Sequence, residues 1–473
     1  MLTRRTFMRQ AGAALTALVT AGGHAARGSA AAGDDRPNIL FILADDLGYG
    51  DLGCYGQQLI QTPCLNRMAA EGLRFTQTYA GSTVCAPSRC ALMTGMHMGH
   101  ARVRGNADHR GNIVPLRPED RTVAEVLGEA GYVTGLIGKW GLGEPGSTGT
   151  PNRKGFNEFY GFLNQVHAHN HYPDYLWRNE EIEPISANQV TSPGICDVCN
   201  AYAQDLFTRE AHAFIRRHRR ERFFLYLAYT IPHTNNERRA EGLEVPSDAP
   251  YTDRDWPAQL RRFAAMITRM DRDIGGVLDL LRELEIDRNT LVIFTSDNGP
   301  HKEGGAQPAF FNSSGGLRGI KRDLYEGGIR VPAIAWQPGW IQPGTVSDHP
   351  WAFWDILPTF AELAETDCPP CDGLSIAPLL RGDPEPPRPH DHFYWEFHER
   401  RFIQAVRWNQ WKAVRVNLSE DVEIYDLAQD LAETTDIVAS HLELREQAVR
   451  LFAESRVPST LWPAPGDPPA ADA

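Results

Sequence analysis

The feature that most constrains this chain is a set of apolar runs that each stop abruptly at polar or charged groups. Asn38-Ile39-Leu40-Phe41-Ile42-Leu43-Ala44 runs into Asp45-Asp46, and Tyr132-Val133-Thr134-Gly135-Leu136-Ile137-Gly138 into Lys139. Phe223-Phe224-Leu225-Tyr226-Leu227-Ala228-Tyr229 leads to Pro232-His233, and Leu291-Val292-Ile293-Phe294-Thr295 to Asp297-Asn298. Continuous apolar runs of this length read as strands buried on both faces. Helical patterns over 121–130, 202–219 and 259–285 separate them. Strands alternating with helices predict an α/β fold with a large, mostly parallel mixed sheet between helix layers. Ligands bind such sheets beyond the carboxyl ends of the strands. All four runs deliver ionisable or amide groups to that edge. Together they describe one pocket for a cation plus an anion.

The end of the chain changes character. The proline-rich stretch 384–389 reads as a connection, and strand-like runs follow at 392–397, 402–407, 411–416 and 422–425. Asn409 suits a hairpin between two of them. With a helix over 442–454, these predict a small antiparallel sheet plus one helix packed on the main domain. The expected division is 36–385 for the main domain and 390–462 for the C-terminal subdomain. The Pro/Ala/Asp-rich residues 463–473 read as a disordered tail.

Residues 1–32 read as a targeting segment. Arg4-Arg5 precede a weakly apolar run over 11–23, and Ala30-Ala31-Ala32 offers a cleavage site. A twin arginine before a mild apolar run resembles a bacterial Tat signal, which makes the Tat translocon a partner and the periplasm or the exterior the destination. That run is too short to span a bilayer, and no other segment approaches ~20 apolar residues, so no stable membrane insertion is expected. The net charge of −13 over 473 residues argues against a nucleic-acid footprint. It does not exclude an anionic substrate, because a few converging cations outweigh distant surface charge.

Eight cysteines include two close pairs, Cys196-Asp197-Val198-Cys199 and Cys368-Pro369-Pro370-Cys371. Export favours disulfides or idle thiols there over zinc. Cys54, Cys64 and Cys90 read as small buried residues. Cys85 is different. In Cys85-Ala86-Pro87-Ser88-Arg89, Pro87 suits the first turn of a helix, which places Cys85 at a helix N-terminus that favours an anion. Arg89 follows one turn on, on the same side. From these residues alone Cys85 reads as an activated thiol.

The run Cys85-Ala86-Pro87-Ser88-Arg89-Cys90-Ala91-Leu92-Met93-Thr94-Gly95 resembles the signature of the type I, formylglycine-dependent sulfatases of the alkaline-phosphatase-like superfamily. Further segments in order are similar to that family: Asn38-Ile39-Leu40 through Asp45-Asp46-Leu47-Gly48, Gly138-Lys139-Trp140, Pro232-His233, Ser296-Asp297-Asn298-Gly299, Gly319-Ile320-Lys321, Glu326-Gly327-Gly328-Ile329-Arg330-Val331-Pro332 and Ile424-Tyr425-Asp426-Leu427. The resemblance implies a sulfuric ester hydrolase, arylsulfatase-like or acting on sulfated carbohydrates. It implies that a formylglycine-generating enzyme oxidises Cys85 to Cα-formylglycine (3-oxoalanine), whose hydrate is the nucleophile. It implies metal ligation by Asp45, Asp46, Asp297, Asn298 and modified Cys85, with calcium ahead of magnesium, as hard oxygen ligands suit. It gives Arg89 and Lys139 to the formylglycine, and His233 and Lys321, with Lys139, to the sulfate. His233 or Lys321 would protonate the leaving alcohol. Arg330 reads as structural.

One position departs from the family pattern. Many sulfatases carry His two residues after the lysine of Gly-Lys-Trp, and Gly141 stands here. A water, Lys139 or another histidine would then take the proton that the missing imidazole removes. His169, from the cluster His167, His169 and His171, is the expected substitute, and His301 an expected substrate contact. Two other functions compete: a phosphatase or phosphonate monoester hydrolase of the same superfamily, and an inactive sulfated-glycan-binding protein.

Overall fold

The computed structural model describes residues 36–399, 401–416 and 421–467. The expected targeting segment, with Arg4 and Arg5, and residues 468–473 of the expected tail lie outside the described residues.

All four apolar runs form strands. These are β1 (Asn38–Asp45), β3 (Val133–Lys139), β9 (Phe223–Pro232) and β10 (Thr290–Ser296). Between and after them come β2 (Leu73–Tyr79), β4 (Glu158–Phe162), β5 (Tyr175–Arg178), β6 (Glu181–Pro184), β7 (Asn188–Ser192), β8 (Ile195–Cys199), β11 (Arg330–Trp336), β12 (Thr345–Ser347) and β13 (Trp351–Ala352). The main sheet runs β12-β2-β11-β10-β1-β9-β3-β4-β5-β6, with β13 also on β2. Its central block β10-β1-β9-β3-β4 is parallel, whereas β11 joins β10 antiparallel and β5 joins β4 antiparallel. The expected mostly parallel mixed sheet is present.

Strand periodicity explains how the sheet is sandwiched. Along β1, Ile39, Phe41 and Leu43 enter one core, and Leu40, Ile42 and Ala44 the other. Helices α1 (Pro63–Glu71), α4 (Ala203–His218) and α5 (Ala258–Glu283) cover the second face; α2 (Cys85–Thr94) and α3 (Val123–Glu129) cover the first. Each fully buried Leu, Ile or Phe contributes about 1.5–3 kcal/mol of apolar transfer, so a strand buried on both faces is a strongly held platform.

The C-terminal strands β14 (Phe393–Phe397), β15 (Ile403–Trp408), β16 (Trp411–Arg415) and β17 (Glu423–Asp426) form an antiparallel meander, and the helix Leu442–Glu454 covers one face of it. The other face sends Phe393, Trp395, Ile403 and Val414 into the core shared with β1. Trp395 Nε1 donates to the Ala80 carbonyl at 2.9 Å. Residues 463–467, read from composition as part of a disordered tail, are held by Arg456, whose guanidinium binds Asp467 at 2.6 and 2.8 Å. Composition does not register a single ion pair of this kind. Among the described residues no helix is long and apolar enough to cross a membrane.

Candidate active site

The parallel strands end at one edge and unload their last residues there. β1 ends at Asp45, and Asp46 leaves it with a left-handed backbone, φ 69°. The register pairs Ala44 with Ser296 and Asp45 with Pro232, which sets Asp297-Asn298 and His233 on either side of Asp45-Asp46. Lys139 closes β3 on the far side of β9. From above the edge, α2 offers Cys85 as its first residue, and Arg89 follows one turn later. Lys321 arrives on a loop tied back by its N–H to the Pro300 carbonyl, 2.9 Å. Each of these side chains is buried.

Their contacts interlock. Lys139 Nζ lies 2.6 Å from Asp45 Oδ2. Arg89 donates from Nε and Nη2 to Asp297 Oδ2, at 3.1 and 2.8 Å, and from Nη1 to the Lys139 carbonyl at 2.7 Å. Lys321 Nζ lies 2.8 Å from Asp46 Oδ2 and 3.2 Å from His233 Nε2. Asn298 Nδ2 donates to Asp46 Oδ1 at 2.7 Å.

Among the buried side-chain oxygens without a partner are Asp45 Oδ1 and Asn298 Oδ1. Leaving a buried acceptor unpaired costs about 1–3 kcal/mol, so such atoms point to a group that completes them. Cys85 Sγ, one carboxylate oxygen each of Asp45 and Asp46, and a ring nitrogen of His233 lie within 4.8 Å of one another. Of these donors the two carboxylate oxygens are hard, as is the free amide oxygen of Asn298, and hard oxygens suit calcium or magnesium once the thiol of residue 85 is replaced by an oxygen function. The acidity of Asp297 agrees with this fit: burial and the Asp45 carboxylate push it up to about 7 despite Arg89. Asp46 behaves oppositely: against burial, the charge and hydrogen bond of Lys321, with the hydrogen bond from Asn298, hold it at about 2.

The thiol reading of Cys85 is corrected by its surroundings. Burial pushes the thiol up to about 12, and Lys139 does not offset it, so the unmodified side chain is a protonated thiol and not an activated thiolate. His233 is held well below the usual imidazole range by burial, then by Lys321 and Lys139. Its Nδ1 lies 2.6 Å from the Thr234 carbonyl and so carries the proton, which leaves the Nε2 lone pair facing Lys321.

His169 stacks on His233, with centroids 4.9 Å apart and planes at 12°, and its Nδ1 lies 3.2 Å from Glu237 Oε1. His301 is buried 6.1 Å from the His233 ring. Both its nitrogens face the backbone: Nδ1 accepts from the Glu303 N–H and Nε2 lies 3.1 Å from the Pro232 carbonyl. His171 holds the His233 carbonyl at 2.9 Å, and His167 turns away to stack on Tyr175. Gly141 has φ 82°, and a Cβ built there would collide with Gln165 Nε2. Gln165 is buried with neither amide atom partnered. The space a Cβ would need at 141 is thus taken by an amide that local sequence did not single out.

Among the remaining cysteines, Cys196 and Cys199 form a disulfide, whereas Cys368 and Cys371 are free thiols with sulfurs 3.7 Å apart. Cys90 is buried as expected, but Cys54 and Cys64 are only half-buried, Cys64 at the start of α1 against α5 and Cys54 ahead of that helix. Arg330 is buried against Glu326 at 3.1 Å and the Thr76 carbonyl at 2.8 Å, a structural position.

The family pattern described as Sulfatase matches residues 37–366, and one described as N-sulphoglucosamine sulphohydrolase, C-terminal, matches 319–453. The chain belongs to the sulfatase family. Human arylsulfatase A is 36% identical over 408 residues, which cover 80% of this sulfatase and 74% of the relative. Dog N-acetylgalactosamine-6-sulfatase is 33% identical over 408 residues, covering 82% and 73%. The crystal structure of Ps i-CgsB in complex with k-i-k-neocarrahexaose superposes with a TM-score of 0.75 at 29% identity, over 89% of this sulfatase and 92% of that chain. The sulfatase is accordingly a sulfuric ester hydrolase with the alkaline-phosphatase-like fold expected from its motifs.

Proposed function

We propose that this sulfatase hydrolyses sulfate esters of carbohydrates, using a formylglycine made from Cys85 and a calcium ion held by Asp45, Asp46, Asp297, Asn298 and residue 85. The unpartnered oxygens of Asp45 and Asn298 beside Cys85 carry the metal part of this reading. When bound, the ion supplies the charge that steadies an oxyanion, and the formylglycine hydrate supplies the attacking hydroxyl. The chain's own side chains do the rest. Arg89 fixes Asp297 and Lys139 fixes Asp45, so both carboxylates are oriented before any ligand arrives. Lys321 and His233 face the sulfonate oxygens. Lys321, with the proton on Nζ, donates it to the leaving alcohol, and His233 Nε2 orients that ammonium by accepting from it.

Charge favours sulfate over phosphate. Asp45, Asp46 and Asp297 balance Arg89, Lys139 and Lys321. A divalent cation then leaves room for one oxyanion and one singly charged ester, and a phosphate monoester brings a further negative charge into a dry site. The carbohydrate assignment draws on the relatives, one named N-acetylgalactosamine-6-sulfatase and one solved in complex with k-i-k-neocarrahexaose. Export through the Tat route to the periplasm or beyond belongs to the same reading. The experiment is peptide mass spectrometry of the Cys85 segment from protein made beside a formylglycine-generating enzyme, with sulfate release measured on the same sample. An aldehyde or its hydrate at residue 85 in active protein is expected; active protein carrying only thiol refutes the reading.

A further inference from the structure

The loop after β4 and the hairpin β7–β8 border a half-open cavity of about 390 Å³, one side chain removed from His233. That is large enough for a small organic ligand. His167, Asp174, Tyr175, Thr191, Ser192 and Glu237 contribute to its wall, and no Lys or Arg lines it among the described residues. His167 is pulled down to about 4 by burial and is neutral, so the wall's charge at neutral pH comes from the two carboxylates. The His167 and Tyr175 rings lie 4.3 Å apart and form an aromatic patch of the kind that suits a sugar ring.

The cavity adjoins the reaction site through one side chain. Glu237 Oε1 contacts His169, and His169 stacks on His233, the neighbour of Lys321. Two buried polar atoms of the wall lack partners, Glu237 Oε2 and His167 Nε2. The walls are also braced. Asn235 Nδ2 donates to the Gly194 carbonyl and Arg238 Nη2 to the Cys196 carbonyl, both at 2.7 Å, and the Cys196–Cys199 disulfide clasps β8. Gly194, at φ 74°, has no side chain where a Cβ would stand 2.9 Å from Glu237 Cβ and Cγ. Braced walls with unpaired polar atoms describe a prepared binding surface.

We propose that this cavity seats the saccharide on the leaving-group side of the ester, and that Asp174 and Glu237 select a sugar presenting hydroxyl or amino donors and reject one bearing a second sulfate or a carboxylate. The inference rests on the sulfatase reading above. Carboxylates accept hydrogen bonds from hydroxyls and ammonium groups, whereas a second anion placed beside them is repelled by at least about tenfold in kcat/KM.

The test uses the full, matured enzyme. Sulfate release from 4-nitrophenyl sulfate reports the reaction at sulfur alone. Mono-O-sulfated galactose, N-acetylgalactosamine and glucosamine, each compared with its disulfated counterpart, report the cavity. The expected result is a kcat/KM at least about tenfold higher for a monosulfated sugar than for its disulfated partner. Glu237→Gln and Asp174→Asn should each narrow that ratio several-fold, chiefly through the KM of the disulfated sugar. Equal or better turnover of disulfated sugars overturns the inference. So does a ratio unchanged in both variants when both melt like the wild type, or turnover of the aryl sulfate with none of the sugars. Loss of aryl and sugar turnover together in matured enzyme would overturn the sulfatase reading, and this inference with it.

Discussion

Lys412→Met would show how much the C-terminal sheet does for the site. Lys412 is fully buried on β16, with Nζ 2.9 Å from both Glu326 Oε1 and Glu433 Oε1. Glu326 opens the turn Glu326–Ile329, where the Gly328 carbonyl receives the Gly299 N–H just after Asp297-Asn298. Methionine keeps most of the volume but strands two buried carboxylates, with Arg330 left beside Glu326. Removing one partner of a buried ion pair costs about 3–5 kcal/mol. At ~2.1 cal/mol/K per residue over roughly 430 residues, that lowers the melting midpoint by about 3–6 °C. The deficit should depend on pH. Burial and Glu326 raise the Glu433 carboxyl from its ordinary 4.5 to about 7 despite Lys412. The folded state therefore binds this proton more tightly than the unfolded chain, so the associated stability is full below 4.5 and is lost as pH rises through about 7. Without Lys412 the group moves further up, and the variant should regain roughly 1–2 kcal/mol relative to wild type between about pH 8 and pH 6. Thermal and guanidinium unfolding at both pH values measure this. A variant within about 1 °C of wild type, or a deficit that grows on acidification, would refute the reasoning.

Other outcomes rest on the site and, for export, on the sequence before residue 36. Cys85→Ala should lower sulfate release by roughly 10⁶-fold, the scale for deleting a nucleophile, whereas Cys196→Ala should keep turnover at sulfur and cost about 1–2 kcal/mol in denaturant titration. Chelation should abolish activity and added calcium restore it. Asp297→Ala should drop kcat by on the order of 10²–10³-fold and weaken calcium binding by calorimetry; full activity in metal-free enzyme would reject the metal assignment. Arg4→Lys with Arg5→Lys should leave active, uncleaved enzyme in the cytoplasm, as fractionation with activity assays would reveal. Export of that double variant at the wild-type level would dismiss the twin-arginine reading and leave the chemistry intact.

The central strands were legible because each is buried on both faces and therefore apolar throughout. β2 was not: in Leu73-Arg74-Phe75-Thr76-Gln77-Thr78-Tyr79 half-buried polar residues interrupt the pattern, as they can where a strand lies near the sheet's edge. β4 is short and ends on aromatic residues with no charge to mark it. The proposed metal ligands Asp45, Asp46, Asp297 and Asn298, with Lys139 and His233, stood out because each ends or follows an apolar run, whereas Cys85 and Arg89 stood out by the Cys-x-Pro-x-Arg pattern. Gln165 and Glu237 were not, because they sit in a loop and a short 3-10 helix whose meeting depends on how distant segments fold over the edge. His301 resembled a substrate contact by its place after Asp297-Asn298-Gly299-Pro300, yet the fold spends both its nitrogens on backbone groups.

The collision between Gly141 and Gln165 has an evolutionary side. One volume is shared by two positions, so neither can change freely alone. A mutation that gave residue 141 an imidazole would first have to displace a buried amide and hold a side chain at a backbone angle suited to glycine. A mutation that trimmed residue 165 first would open a hole with no histidine to fill it. The colliding atoms are the end of a flexible side chain whose amide has no partner to lose, so the left-handed backbone at 141 is the harder obstacle, and substituting 141 and 165 together separates the two effects.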